Sequence, residues 1–168
     1  NLNIIKDKFL KNLILFFEKK IINNFSFIST ISFSMMQKIR LKLKKDKELI
    51  LLPNFINTEH YQLKKENPYW NSLGLKKGTK IIMYSGTINE KLSCKTLINT
   101  IRLLKDEPEI FWIISGEGPL KKSLIGELKD FKNVKITSFQ PSDKLAEWIN
   151  IASIHLIPQK MTVSNLVL

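Results

Sequence analysis

The chain has 168 residues, 43% of them apolar, and a formal net charge of +12. That apolar share is ample for a packed core and excludes an intrinsically disordered protein. A single cysteine, Cys94, excludes an internal disulfide framework, and two distant histidines, His60 and His155, without other ligand types beside them argue against a structural zinc site.

The positive charge is densest at the start, where residues 1–50 carry 11 Lys/Arg against 4 Asp/Glu. A basic surface suits anionic partners, although Lys, Ile and Asn are abundant throughout and a plain compositional bias accounts for the excess equally well. Over 3–23, Ile5, Phe9, Leu13, Phe16, Phe17 and Ile21 recur at helical spacing, which predicts an amphipathic helix with a basic outer face. Such helices pack on a domain or lie on anionic membranes. This one does not span a bilayer, because its longest uninterrupted apolar run, 13–17, falls far short of the roughly 20 residues needed. Residues 25–32 (FSFISTIS) read as a strand. Ser34 is placed to cap the helix that follows, MMQKIRLKLKK, and 48–53 (ELILLP) form another short strand stopped by Pro53. The basic IRLKLKK stretch has no interleaved aromatics, and no zinc-finger, RRM or KH signature accompanies it, so nucleic acid is not expected as a partner. Over 55–79 the pattern weakens into polar residues with turn signals at Asn67-Pro68 and Lys77-Gly78, which predicts a linker with at most a short helix.

Beyond it the chain becomes regular. Strands over 80–84, 109–115, 134–136 and 153–157 alternate with helices over 94–104, 120–129 and 142–151, which means βαβ units and a parallel sheet. Right-handed crossovers bring the C-terminal ends of such strands to one edge, where ligands bind in this architecture. Two glycine turns, the Gln140-Pro141 loop and the Pro158-Gln159 loop converge on that edge.

The first turn, SGTINEK, passes through Gly86 and Thr87 and carries Lys91 at its far end. Strand, glycine turn and helix bring backbone N–H groups and a helix N-terminus to a phosphate, and lysine adds a mobile point charge. An ordinary βα turn also favours glycine. In the second turn, SGEGP, Gly116 and Gly118 flank Glu117, with Pro119 expected at the first helical position. Neither is a GxGxxG fingerprint or a Walker A motif, which disfavours NAD binding and P-loop chemistry. No Ser/His/Asp or Cys/His set can be assembled. Glu90 and Glu117 are suited to holding a sugar hydroxyl or acting as a base, but solvated loop carboxylates are commoner.

In chain order, STISFSMMQKI, LILLPNFINTEHY, GTKIIMYSGTINEK, IISGEGPLKKSL, ITSFQPSDKLAEWINIASIHLIPQ and the terminal SNLVL resemble the GT-B, group 1 (family 4) glycosyltransferases. The resemblance is strongest to the subgroup typified by colanic acid biosynthesis, and it runs from about Phe25 to the end.

The resemblance implies an α/β fold with a Rossmann-like parallel sheet, forming an incomplete GT-B. Residues 1–54 would be the C-terminal end of an acceptor-side domain, 55–79 the interdomain linker, and 80–168 the N-terminal half of the nucleotide-sugar-binding domain. It implies retaining hexosyl transfer from a UDP- or GDP-linked sugar, without metal or other cofactor, to a saccharide or polyprenyl-linked acceptor. The setting would be bacterial exopolysaccharide or lipopolysaccharide biosynthesis in the cytoplasm, with peripheral contact to the inner membrane face through the basic N-terminal region. Gly86, Thr87 and Lys91 fall at the donor diphosphate, Glu90, Gly116, Glu117 and Gly118 in the donor loops, and Phe139 and Gln140 in the nucleobase loop. Ser164 falls where many members place the glutamate that holds the donor sugar, and the matching second glutamate would lie beyond Leu168. Thr87 stands where an arginine is common, and Leu92 where a glycine is usual. No catalytic residue is assigned. Asn1 is not an initiator methionine and Leu168 ends an apolar run, so both ends read as cut and the isolated chain is expected to be inactive. The alternatives are a non-catalytic nucleotide- or protein-binding remnant, or one half of a split enzyme.

Overall fold

A computed structural model describes residues 7–61 and 67–161, and the chain divides into two compact units, the first taking the chain up to Ile56 and again from Lys160, the second Asn57–Gln159. The first unit opens with α1 (Lys8–Ile22), capped by Asp7, whose carboxylate accepts from the N–H groups of Phe9 and Leu10. Lys19 and Lys20 in the last turn complement the helix dipole. The helix buries none of its residues, and Phe9, Phe16 and Ile21 remain more than half exposed. Then β1 (Phe27–Thr30), α2 (Phe33–Arg40) and β2 (Glu48–Leu51) form one βαβ unit, with Phe27 opposite Glu48 and Thr30 opposite Leu51.

Ser32, not Ser34, caps α2. Ser32 is extended and its hydroxyl accepts from the N–H of Met35 at 3.3 Å, whereas Ser34 already lies inside the first turn. The helix also stops at Arg40, short of the MMQKIRLKLKK run. Asn23 explains the early end: its side-chain amide donates to the Lys42 carbonyl at 3.0 Å, and its oxygen accepts from the Lys44 N–H at 2.8 Å. Those backbone groups are then lost to helical pairing.

The second unit begins with a 3-10 turn (Thr58–Tyr61) and α3 (Pro68–Ser72). There follow β3 (Lys80–Ser85), α4 (Cys94–Leu103), β4 (Ile110–Ser115), α5 (Lys121–Leu128), β5 (Val134–Thr137), α6 (Ser142–Ile149) and β6 (Ile154–His155). The four strands are parallel in the order β5-β4-β3-β6. β3 sends Ile82 to one face and Ile81 and Met83 to the other, as strand alternation requires. The Ile82 face packs with Trp112 and Ile114 against Leu97, Ile98 and Ile101 of α4 and Leu124 and Leu128 of α5. The Ile81 face packs with Ile113 against Trp148 of α6.

Within the segment expected to be a linker, α3 belongs to this second core. Asn67 caps it through the Tyr69 N–H and donates its own amide to the Glu147 carbonyl at 2.6 Å. The Tyr69 ring meets Trp148 edge-on, with centroids 5.1 Å apart. β6 is shorter than the predicted 153–157, since only Ile154 and His155 pair, opposite Ile82 and Met83. The chain runs outward from β3 through β4 to β5 and returns to the other side of β3. The strand order therefore reverses between β3 and β6, which is where open α/β sheets bind ligands. No helix among the described residues is long and apolar enough to cross a membrane.

Candidate functional site

The loop over 86–93 rises from the β3 side of that reversal. The pairing of β3 outlasts the strand itself: the Gly86 N–H donates to the Ser115 carbonyl at 2.9 Å and the Ile88 N–H to the Glu117 carbonyl at 2.8 Å. Both N–H groups point at β4 and are taken, so the Gly86 amide expected at a phosphate is not free to reach one. The Gly86 carbonyl also points toward β4, because a Cβ on Gly116 would lie only 1.9 Å from it. Across a trans peptide the next N–H points the opposite way, so the Thr87 N–H faces the β6 side. There β3 is paired only as far as the Met83 carbonyl, which accepts from Leu156 at 2.8 Å. Among the described residues the Thr87 N–H meets no acceptor.

The Thr87 carbonyl accepts from the Tyr84 hydroxyl at 2.8 Å and from the Asn89 N–H at 3.1 Å. Asn89 then closes the turn, its side-chain oxygen taking the Lys91 N–H at 2.9 Å and its carbonyl the Leu92 N–H at 3.0 Å. This turn presents Lys91 to solvent, and among the described residues no carboxylate pairs with it. Leu92, by contrast, is only 3% exposed and bridges to Gln159, while the Ser93 N–H donates to the Pro158 carbonyl at 2.7 Å. The leucine that departs from the usual glycine thus anchors the loop in the core.

α4 starts immediately afterwards. The Ser93 hydroxyl engages the Thr96 hydroxyl at 2.8 Å instead of a backbone N–H, so no side chain caps this helix. The same holds for α5 and α6, which also start on this edge, whereas α1, α2 and α3 are capped by Asp7, Ser32 and Asn67. First-turn N–H groups without a cap are a ready anion site.

The second glycine loop buttresses the first. A Cβ on Gly118 would lie 2.3 Å from the Ile88 carbonyl oxygen, at a φ of +150° that side chains rarely adopt, and the Leu120 N–H donates to that same carbonyl at 3.1 Å. Leu120 is the N-cap, its carbonyl accepting from the Leu124 N–H, so α5 begins at Lys121 and Pro119 lies in a preceding turn closed by the Lys121 N–H on the Gly118 carbonyl. Pro119 is therefore not the first helical residue, as the sequence had suggested.

The Glu117 carboxylate accepts from the Lys121 ammonium at 2.6 Å, and the same ammonium reaches the Ser138 hydroxyl at 3.2 Å. Hydrogen bonding from Lys121, with a further contribution from Ser138, holds the Glu117 carboxyl below its ordinary range. An ionised, paired carboxylate is a weak proton acceptor. Ser138 is moored a second time, its carbonyl accepting from the buried Ser115 hydroxyl at 3.1 Å. The next residue, Phe139, is 47% exposed, and Gln140 is half-buried. On the same edge the Thr137 hydroxyl and the Gln159 amide oxygen are buried without a partner among the described residues.

Gly86, Thr87, Glu90, Lys91, Gly116, Glu117, Gly118, Phe139 and Gln140 all lie on the loops of this edge, and Glu90 is exposed near the tip of the first. Ser164 lies outside the described residues. Sequence reasoning missed Tyr84, Ser115, Lys121 and Ser138. Lys121 was within reach, since it stands four residues after Glu117 at helical spacing. No three His, Cys, Asp or Glu side chains come together among the described residues.

The sequence pattern of the family described as glycosyl transferases group 1 matches residues 67–161. The chain is similar to the candidate colanic acid biosynthesis glycosyl transferase WcaI of Escherichia coli (strain K12), with 31% identity over 156 residues, covering 90% of this chain and 38% of that protein. Its fold is similar to that of sucrose-phosphate synthase from Thermosynechococcus elongatus, at a TM-score of 0.67 and 17% identity, covering 90% of this chain and 41% of that one. It is also similar to Anabaena HepE in complex with UDP and glucose, at a TM-score of 0.65 and 14% identity, covering 84% and 40%. The chain thus spans about two fifths of the length of these proteins.

Proposed function

The chain belongs to the group 1 glycosyl transferases, and from that membership we propose that its 86–93 loop binds the diphosphate of a nucleotide-sugar donor. Its α/β fold with parallel sheets corresponds to part of a GT-B glycosyltransferase. The observation that carries the reading is a convergence at the β3–β6 reversal: the unpaired Thr87 N–H, the exposed Lys91 ammonium and the uncapped N-terminus of α4. All three offer positive charge or N–H donors: among the described residues the Thr87 N–H meets no acceptor and no carboxylate pairs with Lys91, and no side chain caps α4.

When a sugar leaves its nucleotide, negative charge grows on the departing diphosphate. Fixed donors aimed at that charge lower the barrier because they need not reorganise as it forms. The interlock of Gly116 and Gly118 with the first loop supplies the rigidity, and Lys91 the mobile charge. Phe139 and Gln140, presented beside the moored Ser138, are read as the base side of a UDP- or GDP-linked donor. Gly86, Glu90 and Glu117 are read as part of the loops around it, and Ser164, outside the described residues, as the donor-sugar position of the family pattern.

The whole protein is read as a retaining hexosyltransferase of cell-surface polysaccharide synthesis. It would act in the cytoplasm on a saccharide or polyprenyl-linked acceptor, and residues 1–54 would belong to its acceptor-side domain. α1 carries Lys8, Lys11, Lys19 and Lys20 beside the exposed Phe9 and Phe16, which suits peripheral contact with an anionic membrane. Flotation with anionic liposomes at low and high salt checks that contact, and binding indifferent to salt or absent would count against it.

Calorimetry of this chain with UDP, GDP, uridine and a short oligonucleotide tests the central reading. A nucleoside diphosphate is expected to bind and the oligonucleotide is not. Failure of both diphosphates, or equal binding of the oligonucleotide, would overturn it. A second reading, binding without turnover, is favoured for this chain alone by the exposed apolar residues of α1 and the two-residue edge strand β6. Sugar transfer detected from the chain by itself would refute it.

A further inference from the structure

We propose that Tyr84 is a positioning residue for the diphosphate loop: its hydroxyl fixes the Thr87 carbonyl, so that the Thr87 N–H stays aimed into the β3–β6 crevice. The inference rests on the diphosphate reading above. The Gly86–Thr87 peptide, which carries that N–H, lies between two peptides that are tied down. The Ser85–Gly86 peptide is held through the Gly86 N–H on the Ser115 carbonyl at 2.9 Å. The Thr87–Ile88 peptide is held at both ends, its N–H by the Glu117 carbonyl at 2.8 Å and its carbonyl by the Tyr84 hydroxyl at 2.8 Å. Without the hydroxyl, the loop-side hold on this carbonyl is the short-range bond from Asn89 alone, which turns with the loop.

Gly86 is matched to this arrangement. A Cβ there would lie 3.0 Å from the Tyr84 hydroxyl oxygen and 3.2 Å from the ring carbon that bears it, with φ outside the left-handed region. The glycine therefore makes room for the phenol rather than for an unusual backbone. The ring packs against the Ile82 face of the core, which fixes the position from which its hydroxyl reaches the Thr87 carbonyl. Burial, and to a smaller degree Cys94, push the phenol above its ordinary value of 10.0, so the hydroxyl remains a donor at neutral and mildly alkaline pH.

Tyr84→Phe keeps the ring and removes the donor. In the unliganded chain, amide exchange over 86–91 is expected to accelerate. UDP affinity is expected to fall about fivefold, the order supported by one hydrogen bond, while uridine affinity stays at the wild-type value and the melting temperature falls by no more than the several degrees that one hydrogen bond supports. A purely structural role would shift melting and both ligands together. Gly86→Ala, which displaces the phenol, is expected to reproduce the UDP loss but to add nothing further to Tyr84→Phe. Unaltered exchange and UDP affinity in Tyr84→Phe would overturn the Tyr84 assignment. A wild-type chain that binds no UDP would sink the diphosphate reading itself, and the exchange measurement would still decide whether Tyr84 holds the loop.

Discussion

Gly116→Ala separates a glycine required by the fold from one required by a ligand. The added Cβ would sit 1.9 Å from the Gly86 carbonyl oxygen, against about 3.3 Å for a close carbon–oxygen contact. The two loops would have to part by on the order of 1.5 Å. That movement breaks the Gly86–Ser115 and Ile88–Glu117 hydrogen bonds, now 2.9 and 2.8 Å long. Overpacking costs about 1–3 kcal/mol and each lost hydrogen bond about 1 kcal/mol, so a destabilisation of about 3–5 kcal/mol is expected. For a unit of this size that lowers the melting temperature by on the order of 12 °C or more. Urea unfolding followed by tryptophan fluorescence reads the change, because Trp112, 1% exposed, belongs to β4 itself and pairs opposite Ile82 of β3. Gly126→Ala is the control: it lies in α5 with nothing within 4 Å of the new Cβ, and is expected to stabilise by about 0.5–1 kcal/mol. If Gly116→Ala unfolds within about 0.5 kcal/mol of wild type, the interlock is not what holds the loop and the structural reasoning fails.

Two further outcomes follow from the site. Lys91→Gln is expected to weaken UDP binding about tenfold or more without altering the melting temperature, since an exposed ammonium supports a charged hydrogen bond but no packing; an equal loss for uridine would contradict this. Lys121→Met tests the Glu117 pairing by pH. A carboxyl held below its ordinary value of 4.5 contributes stability that is complete above that value and is lost as the pH falls through the lower folded value. The stability gap between wild type and Lys121→Met should therefore hold from neutrality down to the ordinary carboxylate range and close only in stronger acid. A gap that closes near neutral pH would be incompatible with the pairing.

The alternation of strands and helices after Lys80 was legible because the hydrophobic period switches cleanly. Ile81 to Met83 and Trp112 to Ile114 are continuous apolar runs, as expected of strands covered on both faces. Element ends were less legible. Ser32 and Ser34 are both good capping residues, and only the extended backbone at Ser32 decides between them. The early end of α2 depends on Asn23, some twenty residues distant in sequence, whose amide captures the backbone at Lys42 and Lys44. At the site the residue types were visible but their duties were not. Gly116 and Gly118 read as ligand-facing glycines, yet what excludes a side chain is the through-space approach of the Gly86 and Ile88 carbonyls. Tyr84 reads as an ordinary strand aromatic, and nothing local indicates that its hydroxyl reaches the Thr87 carbonyl.

The way β6 ends ties these features together. After the Leu156 N–H reaches the Met83 carbonyl, the chain leaves the side of β3 and crosses to the far end of the loop. There Gln159 bridges to Leu92 and the Pro158 carbonyl takes the Ser93 N–H. Had β6 continued along β3, its carbonyls would have met the β6-facing amides of the loop and the Thr87 N–H would be satisfied internally. By crossing instead, the same segment opens the crevice and clamps Leu92 into the core, so that the adjoining Lys91 is held at the surface. One short strand end thus sets both the Thr87 amide that meets no acceptor among the described residues and the surface position of the Lys91 ammonium. On the proposed diphosphate reading, Thr87 offers only its backbone amide where the family resemblance leads one to expect a second cationic side chain, so the aim of that amide would matter more than total charge. Of the hydrogen bonds that set this aim, those accepted by the Ser115 and Glu117 carbonyls also hold the fold, whereas the one donated by the Tyr84 hydroxyl is the one whose loss should be felt by a diphosphate before it is felt by the fold.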